Sequence, residues 1–214
     1  MTTGTIAIPG YDVHLLLHDV SWEAYDQLLQ KLDAQHRHLR LTYDEGTLEI
    51  MSPSDPHERW KKRIARLVEL MAFELKIEIE CLGQTTFRRK IRRKGLEPDE
   101  CYYVQNAATV RQVEIDLSIH PPPDLVVESD YSNSSLPREP VYAGLGMPEL
   151  WRFDGETLTI RRLGADGRYH NAKKSPAFPF LPMKQFTMFL HRLDKERSTV
   201  VLSDFQEWVR TLKL

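Results

Sequence analysis

Two short apolar runs with acidic ends frame this chain: Pro98-Asp99-Glu100-Cys101-Tyr102-Tyr103-Val104 and Asp124-Leu125-Val126-Val127-Glu128. Each reads as a strand bounded by turn-forming residues. In neighbouring antiparallel strands the start of one lies beside the end of the other, so Asp99 faces Glu128 if these two pair. Asp124 then lies about 13 Å from Glu128, four residues at roughly 3.3 Å each, too far to share one metal directly. Two carboxylates converging at a strand end make a hard-oxygen site for Mg²⁺ or Mn²⁺. Such an ion lowers the pKa of a bound water and neutralises charge that builds on a phosphate. On spacing alone the alternative stays open that both are solvated turn residues.

The remaining pattern predicts what surrounds these strands. Ser21 is a good N-cap for a helix carrying Trp22, Tyr25, Leu28, Leu29 and Leu32 at helical spacing. Leu39, Leu41 and Tyr43, the turn Asp44-Glu45-Gly46, then Leu48 and Ile50 alternate as a β-hairpin. After the Pro53 to Pro56 break, Trp60, Ile64, Leu67, Val68, Met71 and Leu75 form one apolar helical stripe, with Arg59, Lys61, Lys62, Arg63 and Arg66 largely on the other faces. Strands are expected at Ile77–Gly83, across the segment from Thr85 to Gly95, and at Val113–Ile119. A short helix is expected around Glu139 to Leu145, then strands at 149–153, 157–163 and 168–169 with an Asp166-Gly167 turn, and helices from Lys184 to Leu214. This order gives a mixed sheet flanked by helices in a single α/β or α+β domain.

Composition removes several function classes. The 214 residues carry 29 basic and 31 acidic side chains, a net charge of −2, which excludes a globally cationic nucleic-acid binder but not a basic patch. Cys81 and Cys101 are the only cysteines, too few for a disulfide scaffold or a cysteine-rich zinc module. No apolar run approaches the roughly 20 residues of a membrane helix, and the first residues lack the pattern of a signal peptide. The expectation is a soluble protein of the reducing cytosol, without a membrane partner. No GxGxxG, GxxxxGK[ST] or GxSxG is present, so nucleotide-cofactor and serine-hydrolase chemistry lack support.

The strings EPDECYYVQN, PPPDLVVESDYSNSS and VYAGLGMPELWRFDG resemble the Uma family, a bacterial group of restriction-endonuclease-like domains in the PD-(D/E)XK nuclease superfamily. The similarity runs from about Ser21 to the segment near Phe178. It implies a restriction-endonuclease-like α/β fold, a mixed central sheet flanked by helices. The whole chain would form one such domain: helix and hairpin over about 1–52, nuclease core over 53–180 and helical extension over 181–214. It implies Asp99 and Glu128 as the Mg²⁺ (or Mn²⁺) ligands, and Glu58 at a position where the superfamily often adds a helix carboxylate. Two residues after Glu128 the superfamily motif has lysine, and this chain has Asp130. In many relatives a lysine four residues before the tyrosine of the next helix takes its place, and here that position is Arg138, before Tyr142. Arginine holds charge and donates to phosphate but does not act as a base at neutral pH. Arg138 would therefore stabilise charge, with proton removal falling to metal-bound hydroxide.

The partner expectation is DNA. Arg88, Arg89, Lys90, Arg92, Arg93 and Lys94 put six positive charges into seven residues just before Asp99, a strip suited to a phosphodiester backbone or to guarding a sheet edge. Arg59, Lys61, Lys62, Arg63 and Arg66 offer a second possible backbone contact, and the solvated side of their amphipathic helix is the favoured reading. His57, ahead of the long helix, reads as a capping or surface histidine in preference to one that orients a ligand or water near Glu58, and His36 and His38 lack the spacing of a zinc site. Two other readings stay in view: a non-catalytic DNA-binding or interaction module retaining the nuclease fold, prompted by Arg138, and a partner-binding protein using Phe205, Trp208, Val209 and Leu212. The latter allows a homodimer.

Overall fold

The computed structural model describes residues 13–34, 39–52, 55–83, 85–129 and 136–213. In chain order the elements are β1 (Val13–Leu17), α1 (Trp22–Ala34), β2 (Arg40–Asp44), β3 (Thr47–Ser52) and α2 (Asp55–Leu75). Next come β4 (Glu80–Cys81), β5 (Phe87–Arg89), a 3₁₀ turn over Lys90–Arg92, β6 (Lys94–Leu96), β7 (Glu100–Tyr103) and α3 (Ala107–Val110). The chain closes with β8 (Leu125–Ser129), α4 (Arg138–Leu145), β9 (Glu149–Phe153), β10 (Leu158–Leu163), β11 (Tyr169–Ala172), α5 (Met183–Lys195) and α6 (Ser198–Arg210).

The strands make two sheets. One has the order β11-β10-β9-β8-β7-β4 and is mixed, because β8 and β9 run parallel while the other pairs are antiparallel. The parallel pair requires a crossover, and α4 supplies it. Both faces of β8 are buried, and its side chains divide between two cores. Leu125 and Val127 meet Ile64, Leu67, Val68 and Met71 of α2, whereas Val126 meets Val141, Tyr142 and Leu145 of α4. This is the expected mixed α/β sheet flanked by helices.

The second sheet, β1-β3-β2-β6-β5, is antiparallel throughout. Ser21 caps α1 as expected, its Oγ accepting from the Ala24 N–H at 3.1 Å. Glu45 and Gly46 take positive φ values of 49° and 109° in the two-residue turn between β2 and β3, the handedness that matches strand twist. Leu41, Tyr43 and Leu48 turn toward α1, where Tyr25 stacks on Tyr43 with ring centres 4.7 Å apart. Arg40, Thr42 and Glu49 occupy the alternate face and are nonetheless buried. That face meets α4 and the mixed sheet instead of water.

Three sequence expectations change. Val113–Ile119 forms no strand: Asp116 accepts from the Ser118 N–H at 2.8 Å, and its carbonyl takes the amides of Ile119 and His120, pulling the chain into a turn. Only Glu80–Cys81 of the 77–83 segment pairs with β7, and the Thr85–Gly95 stretch is a short hairpin in the other sheet. The C-terminal apolar face is no free docking surface. Phe205 and Val209 lie in the core with α2, and Trp208 packs on Phe189 and Phe205. An amphipathic helix needs a partner for that face, and its own chain provides one.

Candidate functional site

The β7–β8 ladder pairs Glu100 with Val127 and Cys101 with Val126, so one further step places Asp99 opposite Glu128. Both carboxylates are buried, at 1% and 4% exposure, on the face covered by α4 and by the polar side of the second sheet. Burying a charge requires a partner, and each has two. Asp99 Oδ1 accepts from Arg40 Nη1, and Oδ2 accepts from the Ser129 N–H at 2.7 Å and the Ser129 hydroxyl at 2.6 Å. Glu128 Oε2 accepts from Arg138 Nη1, and Oε1 accepts from the Tyr142 hydroxyl. Arg138 and Tyr142 lie four residues apart on α4, so one helix face presents both donors to Glu128.

Glu58 joins from α2. Its Oε1 lies 3.3 Å from Arg40 Nη2 and its Oε2 3.8 Å from Lys61 Nζ. Lys61 is itself buried and lies 3.9 Å from Glu100 Oε1. Of the residues named from sequence, Asp99, Glu128, Arg138 and Glu58 thus fall into one ionic cluster. Reading the sequence did not single out Arg40, Glu49, Glu97 or Ser129, or assign Lys61 to the centre. The His57 side chain and all of Asp130, His36 and His38 lie outside the described residues.

The basic strip sits apart from this cluster, against α1 and the β2–β3 turn. Arg88 pairs with Asp26, Lys90 with Glu23 at 3.2 Å, and Lys94 with Asp44 and, at 3.3 Å, Glu45. Arg93 donates to the Tyr43 hydroxyl at 3.3 Å and Arg89 to the Leu117 carbonyl at 2.7 Å. Arg92 is exposed at the turn. Asp124 holds the chain after β7, accepting from the Val104 and Asn106 amides at 2.7 and 3.0 Å.

Electrostatics separate the two central acids. Burial opposes ionisation of Asp99, but Arg40, Ser129 and Arg138 outweigh it and hold the carboxyl below its ordinary range. Burial dominates at Glu128 and lifts it to about 7, against the pull of Arg138. Glu97, just before the motif, is likewise raised to about 7 by burial despite Arg40, Lys61 and Arg138 nearby. Burial works against the Arg138 charge, yet Glu128 and its neighbours, Glu49 among them, keep the guanidinium firmly protonated. Burial also lifts Tyr142 well above its ordinary value, so it stays a donor.

A hard divalent cation fits this donor set in type and in charge. Among the described residues, Glu49, Glu58, Glu97, Asp99, Glu100 and Glu128 set six carboxylates against Arg40, Lys61 and Arg138, a surplus of three acidic groups. Burial raises Glu97 and Glu128 to about 7, so both hold protons near neutrality, and a metal releases such protons on binding. Among the described residues no three acidic, histidine or cysteine side chains converge on one point. The chain would therefore supply Asp99 and Glu128, leaving other positions to water or phosphate, as Mg²⁺ prefers.

Fold and site together describe a mixed α/β protein with a buried carboxylate pair at a sheet end. The chain belongs to the Uma2 family, described as "Putative restriction endonuclease", whose model matches residues 22–187. Among solved structures it is similar to a crystal structure of a "putative nuclease belonging to DUF820" from Anabaena variabilis ATCC 29413. That similarity has 14% identity and a TM-score of 0.45, over 79% of this chain and 90% of that one. No curated protein matches the chain. Among the described residues no helix is long and apolar enough to cross a membrane.

Proposed function

We propose that the chain is a metal-dependent endonuclease that hydrolyses DNA phosphodiester bonds at the Asp99–Glu128 centre, with Mg²⁺ or Mn²⁺. The observation that carries this reading is Arg138. One arm of its guanidinium binds Glu128, while Nε and Nη2 are buried without an acceptor among the described residues. A buried donor left unmade costs about 1–3 kcal/mol, and a phosphate oxygen beside Glu128 would satisfy both groups, in the paired geometry arginine favours.

When bound, the metal would polarise the phosphate and supply hydroxide near neutral pH. Asp99 and Glu128 would hold it, and Ser129 orients Asp99 through its amide and hydroxyl. Arg138 would stabilise charge on the phosphate without taking a proton. Tyr142 fixes the Glu128 carboxylate from the other oxygen. Glu58 and Lys61 hold Arg40 and the α2 side of the centre in place.

One observation favours a second reading, a nucleic-acid-binding module without catalysis. All four oxygens of Asp99 and Glu128 already accept hydrogen bonds from this chain. A nicking assay on supercoiled plasmid, with Mg²⁺ and separately Mn²⁺, distinguishes the two. Nicking by wild type that disappears in Glu128→Ala supports hydrolysis. Binding of DNA with no nicking under either metal, by folded protein, supports the second reading.

A further inference from the structure

A polyanion that reaches the Asp99–Glu128 centre needs cations the fold has not already neutralised. The 88–94 strip supplies few, since Arg88, Lys90 and Lys94 are ion-paired with carboxylates of α1 and the β2–β3 turn. Helix α2 differs. Arg59, Lys62 and Arg66 are exposed, and none makes an ion pair or hydrogen bond among the described residues. At 3.6 residues per turn, positions i, i+3 and i+7 lie in one stripe. The buried residues of α2, Ile64, Val68 and Met71, point the other way into the core. Arg63, between the two faces, is occupied by Asp194 at 2.8 Å and lies over the Trp60 ring.

Phe73, 77% exposed, continues the same stripe. From Arg59 to Phe73 is fourteen residues, about 21 Å of helix, which matches roughly six base pairs of duplex measured along its axis at about 3.4 Å each. The stripe starts beside Glu58, which touches Arg40 of the centre. Among the described residues its acidic neighbours along the helix face are Glu58 and Glu69.

We propose that the exposed face of α2, through Arg59, Lys62 and Arg66, is the surface that holds the sugar-phosphate backbone of a DNA duplex and leads it to the Asp99–Glu128 centre. This rests on the reading of the chain as acting on DNA. Charge complementarity selects the occupant: three cations in a row, without an ion-pair partner among the described residues, face a polymer with evenly spaced anions, and Phe73 offers a flat apolar ring for its sugars.

The test is fluorescence anisotropy with a labelled 20-base-pair duplex, without divalent metal, between 50 and 200 mM NaCl. The variants are Arg59→Gln/Lys62→Gln/Arg66→Gln and, on the far edge of the mixed sheet, Lys173→Gln/Lys174→Gln. Glutamine keeps helix propensity at these exposed positions, and thermal melting checks that each variant folds. Each lost phosphate contact lowers the slope of log affinity against log salt by about 0.9. The triple variant should lose about 2.7 of slope and the control none. Wild-type binding with an unchanged slope in the triple variant overturns the surface but leaves the DNA reading intact. No wild-type binding at 50 mM salt overturns the DNA reading, and this surface with it. Binding to phosphatidylserine vesicles in place of duplex would overturn the proposal in favour of a membrane face.

Discussion

Replacing Arg40 with Met asks whether the buried pair at the centre is held as described. Arg40 is 4% exposed and Asp99 1%, and the guanidinium also reaches Glu58 at 3.3 Å. Methionine keeps most of the side-chain length but strips Asp99 of its counter-ion inside the protein. Breaking a buried pair this way costs about 3–5 kcal/mol, because an uncompensated charge remains. A chain of this size loses about 2–4 °C in Tm per kcal/mol, so Arg40→Met should melt roughly 6–20 °C below wild type. Adding Asp99→Asn to Arg40→Met should recover much of that loss, since the stranded charge is gone. Millimolar Mn²⁺ should raise the Tm of Arg40→Met more than that of wild type, the cation standing where the guanidinium stood. Differential scanning calorimetry of the three proteins, with and without Mn²⁺, reads all three effects. An Arg40→Met variant within 1 °C of wild type would refute the buried pair and the charge argument built on it.

Other expectations follow from individual contacts. A Cβ on Gly95 would lie 2.9 Å and 3.0 Å from Tyr25 Cζ and Cε1, and that ring is fixed by its stack on Tyr43. Gly95→Ala should therefore cost about 1–3 kcal/mol in urea unfolding. Gly144 lies on α4, and the obstacle there is the flexible side chain of Lys94 from β6, so Gly144→Ala should stay within about 1 kcal/mol of wild type. Burial raises Glu128 from 4.5 to about 7 in the folded state. Its contribution is full below pH 4.5 and is lost as pH rises through about 7, on the order of 3 kcal/mol. Urea midpoints should fall from pH 5 to pH 8 and fall less in Glu128→Gln, and a steeper fall in the variant would contradict this. Trp208→Asp should lower Tm by unfolding the α5–α6 packing, roughly 2 kcal/mol for a partly buried ring, at every protein concentration tried.

The acidic pair was legible because it needed only local facts: two apolar strands, acids at their ends, and antiparallel register. Arg138 came through the resemblance, four residues before Tyr142. Arg40 and Glu49 were not legible. In Leu39-Arg40-Leu41-Thr42-Tyr43 the polar phase of the alternation reads as the solvent side, and only tertiary packing of α4 and the mixed sheet buries it. Val113–Ile119 misled for a related reason: its alternation suits a strand, but Asp116 offers the backbone a turn that outcompetes it. The 88–94 strip showed its charges but not its partners, because Asp26, Glu23 and Asp44 are distant in sequence and arrive only through the second sheet.

The central claim, that Asp99 and Glu128 form a centre for a divalent cation, is tested most directly by calorimetric titration of Mn²⁺ into the purified protein at pH 7.5. The account predicts one ion bound per chain, with proton release on binding, and loss of that binding in both Asp99→Asn and Glu128→Gln. Millimolar Mn²⁺ giving no binding to folded wild type, or binding untouched by both substitutions, would contradict it.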